Sequence, residues 1–467
     1  VDVDARSVTA TMQATFRNDT GQPLQQIVFN VEPNRKPGIF TLTGVEADNL
    51  DKFSLTGPRL EVSLKSPLDV DCTLTVSLGF TIHLAAIQSG YLGRGYFGFS
   101  DRQLNLGEWL PEIAPFTHSS PGSWLTPQSW AVGEYSVSRM GDYDVTVKVR
   151  STAGNMDVVG PGEAERVSAD TWRFQASDLR TFTLSVSAGF SRLTAASDDG
   201  VTIDLYYFAK LQPNKAPDGT PISGPQHALE TARQAVNRFT KLFGPLPYKR
   251  LVVAEGDFAD GMEFSGMVFV SHDWFLRYEG KPDTWLTVIT AHEIAHQWWY
   301  SLIGNDQGEA PYLDEALALY SELLYLEDKY PALVPWWWQF RVKMYQPQGY
   351  VDARTFDFTN LRLYINAVYL RGALMLQEIR ERLGDEAFYR WLRAYAIAQS
   401  NRVATPADLW QAMSPADYSQ TADIRLKYLR QPDPLNPTPS ATRAATAAPT
   451  ISATDLAPRP ATDPCCG

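Results

Sequence analysis

The 467-residue chain is 44% hydrophobic and 12% aromatic, ample material for packed cores and far from the composition of a disordered polypeptide. A formal net charge of −12, with no Lys/Arg-dense stripe, excludes nucleic acid as an expected partner. The three cysteines exclude a disulfide framework and a thiolate metal cluster, and no uncharged apolar run reaches the length of about 18 residues that a membrane-spanning helix needs.

From Val8 to about residue 192 the apolar pattern has period two in short segments such as TATMQATF, QQIVFNV, DCTLTVSL and TFTLSVSAGF, separated by turn signals such as NDTG and VGPG. Alternating strands bury one face against another sheet, so an antiparallel β-sandwich is expected over residues 1–195, with Cys72 as a small core residue. Residues 90–130, rich in aromatics, Gly and Pro, read either as a long packed loop or as a wall of a ligand cleft. After the turn-rich KLQPNKAPDGTPISGPQ the period changes to that of helices. Helices are expected over 227–244, 284–303, 312–330, WWWQFRVKMY, 361–384, 386–400 and 405–414, with strands at YKRLVVAEG and GMEFSGMVFVS, which makes 196–430 a mainly helical unit. The Pro/Ala/Thr-rich segment 431–467 cannot bury enough surface to offset its ordering entropy and is expected to be a flexible tail.

Chemistry concentrates in HEIAH, His292 to His296. Residues four apart stand one turn above each other on a helix, so both imidazoles reach one cation while Glu293 projects beside them as a general base. A third ligand is supplied by Glu315, in the first turn of the next amphipathic segment, YLDEALALYSELL, which the turn-rich GNDQGEAP allows to fold back. Two imidazoles and a carboxylate leave a fourth position for water or substrate, as hydrolytic zinc chemistry requires. Glu322, seven residues beyond Glu315 on the same helix face, is placed to accept the free N–H of a ligand histidine, whereas Asp314 reads as a solvated or N-terminal-turn carboxylate. Glu263, a carboxylate inside an apolar run, is either buried with a partner or exposed at a strand end. On residue type alone, Tyr369 reads as core packing.

The sequence resembles the M1 family of zinc aminopeptidases, gluzincins related to aminopeptidase N and leukotriene A4 hydrolase. That family has HExxH, 18 residues and then Glu, and here 18 residues, Gln297 to Asp314, separate His296 from Glu315. HEIAHQWW and LDEALA resemble its HELAHQWF and LNEGFA, GMEFSG its GxMEN strand, and VYLRG its YxKG element. The likeness spans roughly residues 1 to 430 and implies an all-β first domain, a thermolysin-like catalytic domain and one Zn2+ per chain. It also implies that Glu263 binds the free α-amine of a peptide substrate and that Tyr369 assists the tetrahedral intermediate. Phe264 stands where the family has Asn, a second amine-binding residue is unassigned with Glu108 as a candidate, and where classical members continue into a long helical domain that closes over the site, only the tail is expected after about residue 430.

The expected activity is zinc-dependent release of N-terminal residues from peptides with a free N-terminus. The alternatives are a zinc endopeptidase with an open cleft, or a non-catalytic peptide-binding or scaffolding protein of the same fold. Trp298, Trp299 and Trp336 to Trp338 read as packing surfaces rather than membrane anchors. Without an apolar run of spanning length the chain reads as a soluble protein, and because it opens at Val1 rather than Met, export after removal of a targeting segment is left open; oligomeric state is unspecified.

Overall fold

The computed structural model describes residues 1–87, 95–117 and 122–436. The expected tail falls almost wholly on 437–467, and parts of the 90–130 loop fall on 90–94 and 118–121; both lie outside the described residues. A β-rich half, about residues 7–211, precedes a largely helical half, about 224–428.

In the β-rich half the period-two pattern becomes several small antiparallel sheets rather than two large ones. The strand Thr73–His83 shows the cause in its alternation: Leu74, Val76, Leu78, Phe80 and Ile82 point inward, with polar or small residues between them. Its central position between Ser7–Arg17 and Phe40–Glu46 fixes the register, Val8 opposite Ile82 and Phe40 opposite Ile82 on the other side. Each such side chain contributes about 1.5–3 kcal/mol on burial, so a one-residue slip that turned all five outward is strongly disfavoured. Cys72 corrects the expectation of a core residue: it is exposed. It belongs to the turn ahead of that strand, where Asp71 takes a left-handed backbone (φ 64), and the inward alternation begins only at Leu74.

The two halves meet across a five-stranded mixed sheet in the order 191–196, 202–207, 250–256, 267–271, 261–262. The strand Ser191–Ala196 pairs with Thr202–Tyr207, so this sheet opens a few residues ahead of the expected division at 195/196. GMEFSGMVFVS forms an antiparallel pair, Gly261–Met262 with Met267–Ser271. Against this sheet lies the helix Trp285–Ala295, all eleven residues of which are buried. An all-round apolar helix has no solvent face and must run through the core, which carries His292 and Glu293 into a dry environment.

The expected helix over 284–303 ends earlier. After Ala295 the chain passes through a wide turn, Gln297–Leu302, with non-helical backbone at Trp299 and Tyr300. The cause is distant in sequence: the buried guanidinium of Arg180, from the β-rich half, donates to the carbonyls of Tyr300, Ser301 and Leu302, and also to those of Ser138 and Arg402. Carbonyls turned toward Arg180 are not available to continue a helix. The helix Glu315–Lys329 then folds back on Trp285–Ala295 and also packs on Arg371–Leu383, where Gly372 lets the backbones approach because a Cβ there would overlap that of Ala316.

Candidate metal centre and active site

The central helix presents His292 and His296 on one face, their rings 4.7 Å apart and nearly perpendicular. Their Nε2 atoms are 3.1 Å from each other, and Oε2 of Glu315 lies 3.4 Å from the first and 3.5 Å from the second. All three residues are buried.

The second nitrogen of each ring fixes its tautomer. Nδ1 of His296 stands 2.9 Å from the carbonyl of Trp299, and Nδ1 of His292 stands 3.0 Å from a carboxylate oxygen of Glu322; both partners can only accept, so each Nδ1 carries the proton. In the neutral state both Nε2 atoms therefore aim lone pairs at a common point, joined there by Oε2 of Glu315, which has no hydrogen-bond partner. Three mutually repelling lone pairs in a buried site require positive charge between them. Four ligands about 2.0–2.1 Å from a tetrahedral zinc ion stand roughly 3.3 Å from one another, and the observed separations fit that ion. The titration of the cluster shows the same demand. Burial disfavours a charged His292, but the Glu315 carboxylate beside its Nε2 and the hydrogen bond to Glu322 outweigh it and push the group up to about 9. Burial would likewise raise Glu315, yet the charge of His296 and the closeness of both imidazoles to its carboxylate hold it far below the usual carboxylate range.

Glu322 is fully buried and accepts four hydrogen bonds: from Nε1 of Trp337 at 2.8 Å and Nε of Arg341 at 3.0 Å on one oxygen, and from Nη2 of Arg341 at 2.8 Å and Nδ1–H of His292 at 3.0 Å on the other. Burial pushes its carboxyl up, and the Arg341 charge with the hydrogen bonds from His292 and Arg341 brings it below its ordinary value. Arg341 is not singled out in the sequence, and Trp337, within Trp336 to Trp338, reads there as packing; the available signal is a lone arginine inside the aromatic helix WWWQFRVKMY. Replacing Arg341 by methionine leaves that buried charge short of its main partner, and unfolding by denaturant is expected to show a loss of about 3–5 kcal/mol.

Glu293 projects beside the cluster, buried, with Oε2 free of any hydrogen-bond partner. Burial raises its carboxyl well above the ordinary value, the two histidines oppose that, and Glu263 and Asp260 add to it. Gly261, on the neighbouring strand, lies so close that a Cβ there would overlap the Glu293 carboxylate. Gly261→Ala is expected to displace that carboxylate and lower kcat by about 10²-fold with the bound metal content unchanged, as read by steady-state kinetics beside elemental analysis.

Glu263 is buried, not exposed at a strand end, and accepts a hydrogen bond of 3.0 Å from Nε2 of Gln307. Burial raises its carboxyl, His296 lowers it and Glu315 raises it, so it senses the same cluster. Phe264 is also buried, its ring beneath Gly107 and edge-on to Tyr96, whose hydroxyl donates to Glu108 at 3.2 Å. Glu108 itself has a left-handed backbone (φ 49) and, with Glu263 and Glu112, raises the phenol of Tyr300 after the dominant effect of burial. Tyr369 lies with its ring parallel to His292 at 6.3 Å, and Tyr364 packs edge-on behind it. Of the two expectations for Asp314, the N-terminal-turn carboxylate holds and the solvated acid does not: it is fully buried at the start of the helix Glu315–Lys329 and accepts from the N–H of Glu315 at 2.7 Å, which holds the first turn of that helix in place.

Residues 227–427 match the Peptidase family M1 domain. The helical half is similar to an M1 peptidase domain. Among curated relatives, aminopeptidase N of Lactobacillus helveticus is 26% identical over 318 residues, 62% of this chain and 36% of the relative. Endoplasmic reticulum aminopeptidase 2 of Bos taurus is 26% identical over 247 residues, 48% of this chain and 24% of the relative. The chain thus spans about a third or less of the length of these two relatives. The crystal structure of an M1 zinc metallopeptidase from Deinococcus radiodurans superposes with a TM-score of 0.66 at 19% identity, covering 92% of this chain and 91% of that one. The two-part architecture, a β-rich half followed by a helical one, is therefore shared with a bacterial M1 metallopeptidase fold. Among the described residues, no helix is long and apolar enough to cross a membrane. Trp298, Trp299 and Trp337 are fully buried.

Proposed function

We propose that the protein is a zinc-dependent aminopeptidase. The observation that carries the proposal is the convergence of two Nε2 lone pairs and one carboxylate oxygen at a buried point, flanked by the unpartnered Oε2 of Glu293. His292, His296 and Glu315 would hold the metal, with Glu322 fixing the orientation of His292. Zinc bound there supplies an electrophile and a water of lowered pKa.

The remaining work belongs to the side chains around it. Glu293, buried and free on one oxygen, takes the proton of the attacking water and returns it to the departing amine nitrogen. Tyr369 turns its ring flat against His292 and offers its hydroxyl to the oxyanion as charge develops. Glu263, grouped with Glu293 and His296 and held by Gln307, pairs with the substrate's α-ammonium, so that only the first peptide bond reaches the reacting centre. The buried setting of these acids excludes water and strengthens each interaction. A variant of the Deinococcus radiodurans metallopeptidase has been crystallised with a Tyr-Ser-Ala substrate, a short peptide of the class proposed here.

The experiment compares free and N-acetylated peptides of one sequence. A free amino terminus is expected to raise kcat/KM by at least about tenfold, the worth of a charge-assisted hydrogen bond in a dry site. Equal or better turnover of the acetylated peptide would remove the aminopeptidase reading and leave an endopeptidase.

A further inference from the structure

Gln307 stands between the two halves of the molecule at the edge of the site, and each of its polar groups is engaged. Its Nε2 donates to Oε1 of Glu263 at 3.0 Å, and its Oε1 accepts from the hydroxyl of Ser136 at 2.5 Å. Its backbone N–H donates to the carbonyl of Ser136 at 3.2 Å, and its own carbonyl accepts from the hydroxyl of Thr355 at 3.0 Å. The side chain is 1% exposed, so none of these bonds is shared with bulk water. Ser136 belongs to the β-rich half, 171 residues away in sequence, whereas Glu263 is 44 residues away beside the metal cluster. A buried amide cannot rotate without exchanging its ends: with Ser136 donating to Oε1, the N–H face is directed at the carboxylate, and the reverse orientation would set a carbonyl oxygen against it.

We propose that Gln307 is a positioning residue that fixes the rotation of the Glu263 carboxylate and makes that rotation depend on the seating of the β-rich half through Ser136. The proposal rests on Glu263 as the residue that meets the substrate's α-ammonium. One carboxylate oxygen is held by Nε2 of Gln307, which leaves the other directed to the incoming cation. Specificity for a free amino terminus is in this way a property of the contact between the halves as well as of the catalytic strand. A bond removed at Ser136 acts on substrate binding from outside the catalytic half.

The test uses the full chain with Gln307→Met, which keeps length and burial but removes the amide, with Ser136→Ala, and with Glu263→Gln as the reference. KM and kcat are measured separately for a free peptide and for its N-acetylated form. Gln307→Met is expected to raise KM for the free peptide about tenfold, the usual effect of one lost hydrogen bond to a charged group, with kcat and the acetylated peptide little changed. Ser136→Ala should move KM in the same direction by less. A merely structural role would lower thermal stability and scale both substrates alike, and that result overturns the proposal. If Glu263→Gln leaves the preference for free amino termini intact, the assignment of Glu263 fails on its own account. The positional claim is then decided by a crystal structure of Gln307→Met: a rotated Glu263 carboxylate supports it, and an unmoved one overturns it.

Discussion

Glu293→Gln is expected to lower kcat by about 10²–10⁴-fold while leaving metal content, fold and KM close to those of the parent. The substitution keeps size and burial but removes a buried base beside the histidine pair whose Oε2 is available to a water proton. The loss must appear in kcat, because a group that moves a proton in the transition state and makes no ground-state contact contributes nothing to substrate affinity. Circular dichroism and zinc content measured alongside separate this outcome from unfolding. Retained turnover would mean that another group takes the proton, and Glu263, grouped with Glu293 and His296, is the next to test.

The second large effect concerns the ligands. Glu315→Ala is expected to abolish stoichiometric zinc binding and to reduce peptidase activity to background, and chelation of the parent protein should do the same reversibly. A hydrolytic zinc site needs three protein ligands and one open position; with the carboxylate gone, two imidazole nitrogens 3.1 Å apart remain and the anion that balances the ion's charge is lost. The helix that carries Glu315 keeps Asp314 at its start, so the fold should survive and the zinc content can be read on folded protein. Zinc bound at full stoichiometry in that variant would show that the ion sits elsewhere.

The juxtaposition of His292, His296 and Glu315 is legible in the sequence because it depends mostly on local periodicity. A spacing of four puts two imidazoles on one helix face, and a turn-rich loop of fixed length returns a second helix to meet them. The β-rich half is legible for the same reason, since period-two alternation as in TLTVSLGFTIH records which face is buried. What cannot be read is non-local. The metal helix looks continuous to residue 303 because its apolar residues do not stop, yet Arg180, more than a hundred residues earlier, collects the carbonyls that end it. Arg341 and Trp337 hold Glu322 from a segment whose composition suggests only packing. Gln307 meets Glu263 and Ser136 from a loop that reads as a mere connector. Cys72 fails as a core residue because strand alternation starts two residues later, after a left-handed Asp71 that no hydrophobic pattern announces. Partners that satisfy buried charge come from anywhere in the chain, and pattern rules reach only a few residues.

The centre of the account is that one divalent ion sits among Nε2 of His292, Nε2 of His296 and Oε2 of Glu315, with Glu293 beside it. Anomalous scattering recorded at the zinc absorption edge from crystals of the active protein tests this most directly. The account predicts a single strong peak about 2.0–2.2 Å from all three atoms, with one position toward Glu293 open to solvent or substrate. A peak bonded to a different set of side chains, or four protein ligands closing the coordination sphere, would contradict it.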